Sequence, residues 1–201
     1  MNIVVSDLEG VFLPEIWINV AEKTGIEELK LTTRDISDYD VLMKKRLSIL
    51  DEHNLKIQDI QDVIAGLDPL EGAREMVDWI RDQTQFIVLS DTFEEFAAPL
   101  MPKLGNPTLL CHNLTIDPQG RITQYNLRID DQKKKAVEAF KSMNYNVIGF
   151  GDSYNDIGMI QSADSGFFFC PPDSVMTDFP EIPIVRNYTD LKTMLESCLH
   201  P

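Results

Sequence analysis

Asn2-Ile3-Val4-Val5-Ser6-Asp7-Leu8-Glu9-Gly10-Val11 is the stretch that decides how the rest of the chain is read. A short apolar, β-branched run predicts a buried strand. It stops abruptly at two acids, with a glycine directly behind them. Open α/β sheets place their ligand sites at strand ends. Asp7 and Glu9 lie two residues apart, so both face one side if extended backbone continues through them. Taken alone, an acidic turn after an edge strand explains the stretch equally well. Partners elsewhere in the chain have to decide.

The 201 residues suffice for a full core and one domain with a substantial insertion. No run is long and apolar enough to span a bilayer. No basic region followed by a cleavable apolar segment opens the chain, so no secretory signal is expected. Cys111, Cys170 and Cys198 are odd in number and far apart. They fit neither a disulfide framework nor a zinc spacing, and a reducing cytoplasm suits them best. The formal net charge of -15 argues against nucleic acid and acidic membranes as partners. The only dense basic run is Lys133-Lys134-Lys135. An anionic substrate therefore needs a metal or local cations to reverse the field at its site.

After Val11 the pattern is helical up to a re-entry turn at Asp68-Pro69-Leu70-Glu71-Gly72. Pro14 and Gly25 punctuate a first helix. A second covers 41–50, and Ile57, Ile60, Val63, Ile64 and Leu67 recur at helical spacing in a third. These segments predict a helical cap over 12–67, inserted into an α/β core made of 1–11 and 68–201. In the core, Ala73, Met76, Val77 and Ile80 share a helix face. Residues 85–89 and 146–150 read as two more buried strands, with a helix over 132–143 between them. Asp117-Pro118-Gln119-Gly120 is a hairpin signal, and a further helix is expected to hold Phe93, Phe96 and Leu100. Residues 166–170 and 182–185 are short strands, the latter at an edge because of Pro183. Thr189 is expected to cap a last helix. The fold class is α/β: a doubly wound, mostly parallel, Rossmann-like sheet carrying a small helical cap.

Three strands thus end in polar clusters: Asp7/Glu9, Ser90/Asp91/Thr92 and Asp152/Asn155/Asp156. The C-terminal ends of parallel strands share one edge, so the clusters can converge. Carboxylates gathered without His or Cys favour a hard, oxygen-seeking ion, Mg²⁺ first among them. Packed that closely, they cannot all stay ionised without a cation.

This set of motifs resembles the haloacid dehalogenase superfamily of phosphoryl-transfer enzymes. Asp7-Leu8-Glu9-Gly10-Val11 is similar to its first motif and Ser90 to its second. A lysine among 133–135 is similar to the third, and Gly151-Asp152-Ser153-Tyr154-Asn155-Asp156 to the fourth. Within the superfamily the chain looks like the phosphoserine phosphatases with a small helical cap. Among these it looks most like the bifunctional enzymes that also pass the phosphoryl group to homoserine. The likeness runs nearly the whole length, including Pro14-Glu15-Ile16-Trp17-Ile18 and Asp38-Tyr39-Asp40.

The resemblance implies that Asp7 attacks phosphorus to give an aspartyl-phosphate. Glu9 would be general acid toward the leaving alkoxide, then general base toward the incoming nucleophile. Mg²⁺ would sit on Asp7, Asp152 and the backbone carbonyl of Glu9, with Asp156 behind them. Ser90, Asp91 and Lys133 would take the phosphate. Lys134 stays open as the alternative to Lys133, and Asn155 either binds phosphate or fixes a loop. From the cap, Glu15 would meet an amino group and Arg46 a carboxylate, for which its fork is suited. Tyr39 would help wall the pocket. Without the resemblance, Arg46 suits a solvent-facing helix and Glu15 a first turn equally well.

The implied small-molecule substrates are O-phospho-L-serine and homoserine, with no nucleic-acid or membrane partner. The oligomeric state stays open between monomer and homodimer. Another small phosphate ester is an alternative substrate. A phosphoacceptor signalling domain is the rival of a different class. There the phosphorylated aspartate belongs on a middle strand, and a helical insertion after the first strand has no place. Glu9 departs from the superfamily pattern, where aspartate is usual, and the extra methylene moves the carboxyl by roughly 1.5 Å. His53 and His112 read as polar loop residues, and nothing marks Cys111 as activated. Trp17 and Trp79 occupy apolar helix positions and read as core.

Overall fold

The opening run forms β1 (Asn2–Ser6), buried on both faces as an unbroken apolar strand should be. Around it lie β2 (Gln85–Phe93), β3 (Thr108–Ile116), β4 (Ile122–Asn126), β5 (Asn146–Gly151), β6 (Ser165–Phe169) and β7 (Ile184–Val185). This is a computed structural model that describes residues 1–32, 35–36 and 38–200. Among the described residues, the strands form one sheet in the order β4-β3-β2-β1-β5-β6-β7. Among the described residues, only the β3–β4 hairpin is antiparallel. β1 pairs in parallel with β2 and β5, so Ser6 lies beside Val88 and Phe150. That register brings Asp7, Ser90 and Asp152 to one edge. β7 is an edge strand, as Pro183 predicts.

The alternating sides of β1 feed two cores. Val4 packs with α4 (Ala73–Gln83) and α9 (Tyr188–Leu199). Ile3 and Val5 pack with α6 (Gln132–Ser142) and α7 (Ile157–Ser162) on the opposite face. The sheet is therefore doubly wound. Between β1 and α4 run α1 (Ile16–Thr24), α2 (Tyr39–Glu52) and α3 (Ile57–Ala65). Asp38 caps α2 by accepting from the Asp40 and Val41 N–H groups. The helices lean on the hairpin: the Ile57 N–H donates to Gly120 O at 2.9 Å, and Tyr125 OH donates to Asp40. Gln61 reaches Glu95 O at 2.8 Å. Phe12 stacks on Tyr188 and meets Phe86 and Phe150 edge-on, which packs it against the sheet.

Four local expectations change. β2 runs on through Ser90-Asp91-Thr92 to Phe93, and the helix after it, α5 (Glu94–Ala97), is a single turn. β3 starts six residues before the expected Leu114. His112 consequently lies inside a strand, 3% exposed, and its Nδ1 accepts the Arg128 N–H at 3.1 Å. A satisfied polar group can be buried there. The last helix is capped by Asn187, which accepts from the Asp190 N–H at 2.8 Å, and not by Thr189. Tyr188 draws the helix start forward by stacking on Phe12 and Phe169 and donating to Val11 O.

Candidate active site

Asp7 directly follows β1, and its N–H donates to Phe150 O at 3.1 Å. Asp152 directly follows β5. One carboxylate oxygen from each of Asp7, Asp152 and Asp156 lies within 4.8 Å of the others. Two glycines make room for this. Gly10 has φ +73°, and a Cβ there would stand 2.5 Å from Asp152 Oδ2. A Cβ on Gly151 would stand 2.2 Å from Asp156 Cγ.

Lys133, at the start of α6, is buried among these acids. Its Nζ is 2.7 Å from Asp156 Oδ1, 3.0 Å from Asp7 Oδ1 and 3.8 Å from Asp91 Oδ2. Lys134 instead points to Glu138 at 4.0 Å and is half exposed, so the geometry separates the two lysines. Asp156 is wholly buried and spends both oxygens on protein. Oδ1 takes Lys133, and Oδ2 accepts the N–H groups of Asp152 and Ser153 at 2.9 and 3.0 Å. Direct metal ligation would fall to Asp7 and Asp152.

The electrostatics call for more positive charge. Burial, then Asp156, pushes the Asp7 carboxyl well above the usual range, with Lys133 opposing. Burial, then Asp156 and Glu15, pushes Asp152 up to about 7. Burial works against a charged Lys133, but Asp156, Asp7 and Asp91 outweigh it and raise its pKa. An all-carboxylate donor set short of cations suits Mg²⁺, a hard ion that keeps several waters.

Ser90 is 2% exposed, and its Oγ accepts the Thr92 N–H at 3.2 Å. The Asp91 carboxylate is fully engaged. Oδ1 accepts Gln132 Nε2 at 3.2 Å and faces His112 Nε2 at 3.5 Å, while Oδ2 accepts Asn155 Nδ2 at 2.9 Å. Burial alone would raise Asp91. Lys133 and these hydrogen bonds overcome it and hold the carboxyl well below the ordinary range. Asp91 is thus a fixed anion committed to protein donors. Asn155 both holds Asp91 and lines the cavity.

The extended backbone does not continue through Glu9. The chain turns, with the Phe12 and Leu13 N–H groups donating to Leu8 O at 2.9 and 3.0 Å. Glu9 Oε2 accepts the N–H of Ile16, at the start of α1, at 2.8 Å. Burial and then Glu15 raise the Glu9 carboxyl to about 7, against hydrogen bonds from Ile16 and the Thr92 side chain. The turn, not a shared strand face, brings Glu9 to the cavity beside Asp7.

A cavity of about 240 Å³ lies between sheet edge and helices. Asp7, Glu9, Ser90 and Asp152 line it from the strand ends and the turn after β1, and Glu15, Trp17, Tyr39 and Arg46 from the helical segment. Arg46 is 7% exposed. Its Nη2 donates to Leu31 O at 2.7 Å, and its guanidinium lies 4.5 Å from the Trp17 ring centroid. Its buried Nε–H has no protein partner. Burial lowers the guanidinium to about 10, with Tyr39, Glu9 and Glu15 resisting. Tyr39 OH donates to Asp91 O at 3.4 Å, and burial, then Asp91, pushes its phenol up.

Trp17 packs against the core, as the sequence suggested, and is also a cavity wall that braces Arg46. The sequence reading placed Thr92 only in a strand-end cluster and Trp17 only in the core, and it gave Gln132 and His112 no role at the site. Thr92 and Gln132 adjoin motif residues, which was a usable signal. His112 carried none.

Residues 2–164 match the family model for haloacid dehalogenase-like hydrolases. The chain is 59% identical over 192 residues to phosphoserine phosphatase ThrH of Pseudomonas aeruginosa, covering 96% of this chain and 94% of that protein. The fold is similar to a crystal structure of phosphoserine phosphatase in apo form, with TM-score 0.76, 22% identity and coverage of 97% and 98% of the two chains. It is also similar to a phospho-aspartyl intermediate analogue of phosphoserine phosphatase, with TM-score 0.74, 22% identity and coverage of 98% of each chain.

Proposed function

The chain belongs to the haloacid dehalogenase-like hydrolase family, and we propose that it is a Mg²⁺-dependent phosphoserine phosphatase that can also pass the phosphoryl group to homoserine. One observation carries the reading. A single cavity is lined both by the carboxylates Asp7 and Asp152, with Lys133 buried 3.0 Å behind Asp7, and by Arg46 and Glu15. A phosphorylated amino acid presents the complementary charges: phosphate at one end, carboxylate and ammonium at the other. The Arg46 Nε–H, buried and without a protein acceptor, supports capture of the carboxylate. Glu15 would take the ammonium, and Tyr39 and Trp17 would shape the wall. The name of the 59% identical relative supports the same substrate.

Asp7 would attack phosphorus, forming an aspartyl-phosphate as the serine oxygen leaves. Glu9, its carboxyl raised to about 7, would hold the proton that the leaving oxygen needs. The resulting carboxylate would then take a proton from water, or from the hydroxyl of homoserine, as that oxygen attacks the phosphoenzyme. Ser90 Oγ–H, the main-chain N–H of Asp91 and Lys133 would hold the phosphoryl oxygens. The Asp91 carboxylate, being an anion committed elsewhere, would stay off them. Mg²⁺ on Asp7, Asp152 and the Glu9 carbonyl would screen nucleophile and phosphate from each other. Asp156 would orient Lys133 and the Asp152 main chain. We place this chemistry in the reducing cytoplasm, in keeping with three free cysteines.

The test follows free phosphate and phosphohomoserine together, from phosphoserine with Mg²⁺, with and without homoserine. Multiple turnover with a homoserine-dependent second product is expected. Turnover of other phosphate esters with none of phosphoserine would overturn the substrate assignment. One phosphoryl group retained per chain would point to the signalling class.

A further inference from the structure

We propose that His112 is a positioning residue: through the Asp91 carboxylate it holds Asn155 and Lys133 in place around the phosphate site. The inference rests on the phosphoryl-transfer reading above. His112 Nδ1 accepts the Arg128 N–H at 3.1 Å, so Nδ1 carries no proton and the ring proton sits on Nε2. Nε2 faces Asp91 Oδ1 at 3.5 Å. Gln132 Nε2 donates to the same oxygen at 3.2 Å. Gln132 also donates to Ser90 O at 2.5 Å, so reversing its amide would set oxygen against oxygen. Gln132 is therefore fixed as a donor to Oδ1, and the His112 Nε2–H, 3.5 Å from both Oδ1 and Gln132 Nε2, faces the same oxygen at the long edge of hydrogen-bond reach.

The other oxygen faces the chemistry. Oδ2 takes Asn155 at 2.9 Å and stands 3.8 Å from Lys133 Nζ. One carboxylate thus ties β3, the end of β2, α6 and the turn after β5. Without anchors on Oδ1, Asp91 could swing toward the Lys133 ammonium and draw it from Asp7, only 3.0 Å away. Two donors without formal charge hold it back and add no cation that would compete for phosphate. His112 contributes from a buried strand position, with the Phe93 ring centroid 6.3 Å away. Buried strands of this kind are rigid, which suits a residue that fixes others.

The two ring nitrogens have separate jobs, so two amides separate them. In His112→Gln the amide nitrogen falls near Nε2 and can serve Asp91. In His112→Asn the carbonyl falls near Nδ1 and can serve the Arg128 N–H. Binding of inorganic phosphate to the Mg²⁺ form is measured by calorimetry, beside melting temperature and the kinetics of phosphoserine turnover. His112→Ala should weaken phosphate binding by about tenfold, the scale of one charge-assisted hydrogen bond. Gln should restore most of that affinity, and Asn should restore melting temperature only. Asn restoring phosphate binding, or Gln failing to do so in protein that melts like wild type, overturns the proposal. If the Gln protein does not fold, a double-mutant cycle decides. His112→Ala should add little to Asp91→Ala if it acts through Asp91, and additive losses overturn it. Wild-type inactivity on phosphoserine would instead strike the substrate reading, since phosphate binding tests His112 independently of substrate.

Discussion

Gly10 and Asp152 compete for one space. A Cβ on Gly10 would come within 2.9 Å of all three carboxyl-group atoms of Asp152, the nearest at 2.5 Å. Gly10 also has φ +73°, where a side chain costs about 1–2 kcal/mol. Gly10→Ala is therefore expected to displace Asp152, cutting turnover at least about tenfold and weakening Mg²⁺ binding. Gly25→Ala is the control. Gly25 has φ +72° but open space around its Cβ direction, so it should lose only stability. Equal activity losses in the two variants would show that backbone strain, not the clash, matters.

The raised carboxyls predict how the metal-free protein responds to pH. Glu9 and Asp152 titrate at about 7 when folded, against ordinary values of 4.5 and 3.8. A carboxyl raised by folding adds stability below its ordinary value and loses it as pH rises through the folded value. With chelator present, Tm should fall between pH 5 and pH 8, at about 2–4 °C per kcal/mol for a chain of this size. Mg²⁺ held by these carboxylates would bind their ionised form, so it should raise Tm more at pH 8 than at pH 5. A flat Tm profile in chelator, or a Mg²⁺ effect independent of pH, would contradict the electrostatics of the site.

Lys133 is the cation on which the acid cluster relies. It lies within 4.0 Å of Asp7, Asp91 and Asp156 and is 2% exposed. Removing one partner from buried ions costs about 3–5 kcal/mol. Lys133→Met is expected to approach that cost at pH 7.5 and less at pH 5, where protonation relieves the acids. Its turnover should fall by about 10²–10³, the scale for losing one preorganised charge donor. Lys134→Met, at a half-exposed surface, should stay within about 0.5 kcal/mol of wild type. Denaturant melts at both pH values, with steady-state kinetics, check all three statements.

The sheet was readable because apolar runs and strand-end acids repeat one pattern at 2–11, 85–92 and 146–156. A parallel sheet leaves such ends only one edge to share. The glycines beside the strand-end acids were readable in the motifs, but that their missing side chains make room for Asp152 and Asp156 was not. Such contacts join residues far apart in the chain. The same limit hid His112 and Trp17. Each looks ordinary in its own segment and acquires a role only from a residue across the fold, Asp91 for one and Arg46 for the other. The length of β3 was missed because its first half lies against β2 and its second half against β4, so it shows no single alternation.

Substituting Arg46 would separate the proposed substrate recognition from phosphoryl chemistry. Its guanidinium is braced by Leu31 O and the Trp17 face, and its buried Nε–H has no protein acceptor. Arg46→Ala is expected to lower kcat/KM for phosphoserine by about 30–150-fold, the worth of about 2–3 kcal/mol in a charged hydrogen bond. An aryl phosphate without carboxylate should lose no more than about threefold. Parallel losses on both substrates would show that Arg46 supports the cavity and does not read the amino acid. Trp17→Leu should weaken phosphoserine selectively too, by less, because the brace goes while the cation stays.

Glu9 offers the sharpest test of the acceptor. Its carboxyl is tethered at the helix side of the cavity, where Oε2 takes the Ile16 N–H at 2.8 Å and Thr92 adds a second hydrogen bond. Glu9→Asp shortens the side chain by about one C–C bond, roughly 1.5 Å, and strains that tether. The shorter carboxylate is expected to activate water more readily and to shorten the life of the aspartyl-phosphate. Free phosphate should then rise at the expense of phosphohomoserine when both are followed from phosphoserine in the presence of homoserine. Glu9→Gln should stop both products, because an amide can neither give nor take the proton. A transfer-to-hydrolysis ratio unchanged by Glu9→Asp would remove side-chain length as the cause and shift attention to the wall that admits the second alcohol.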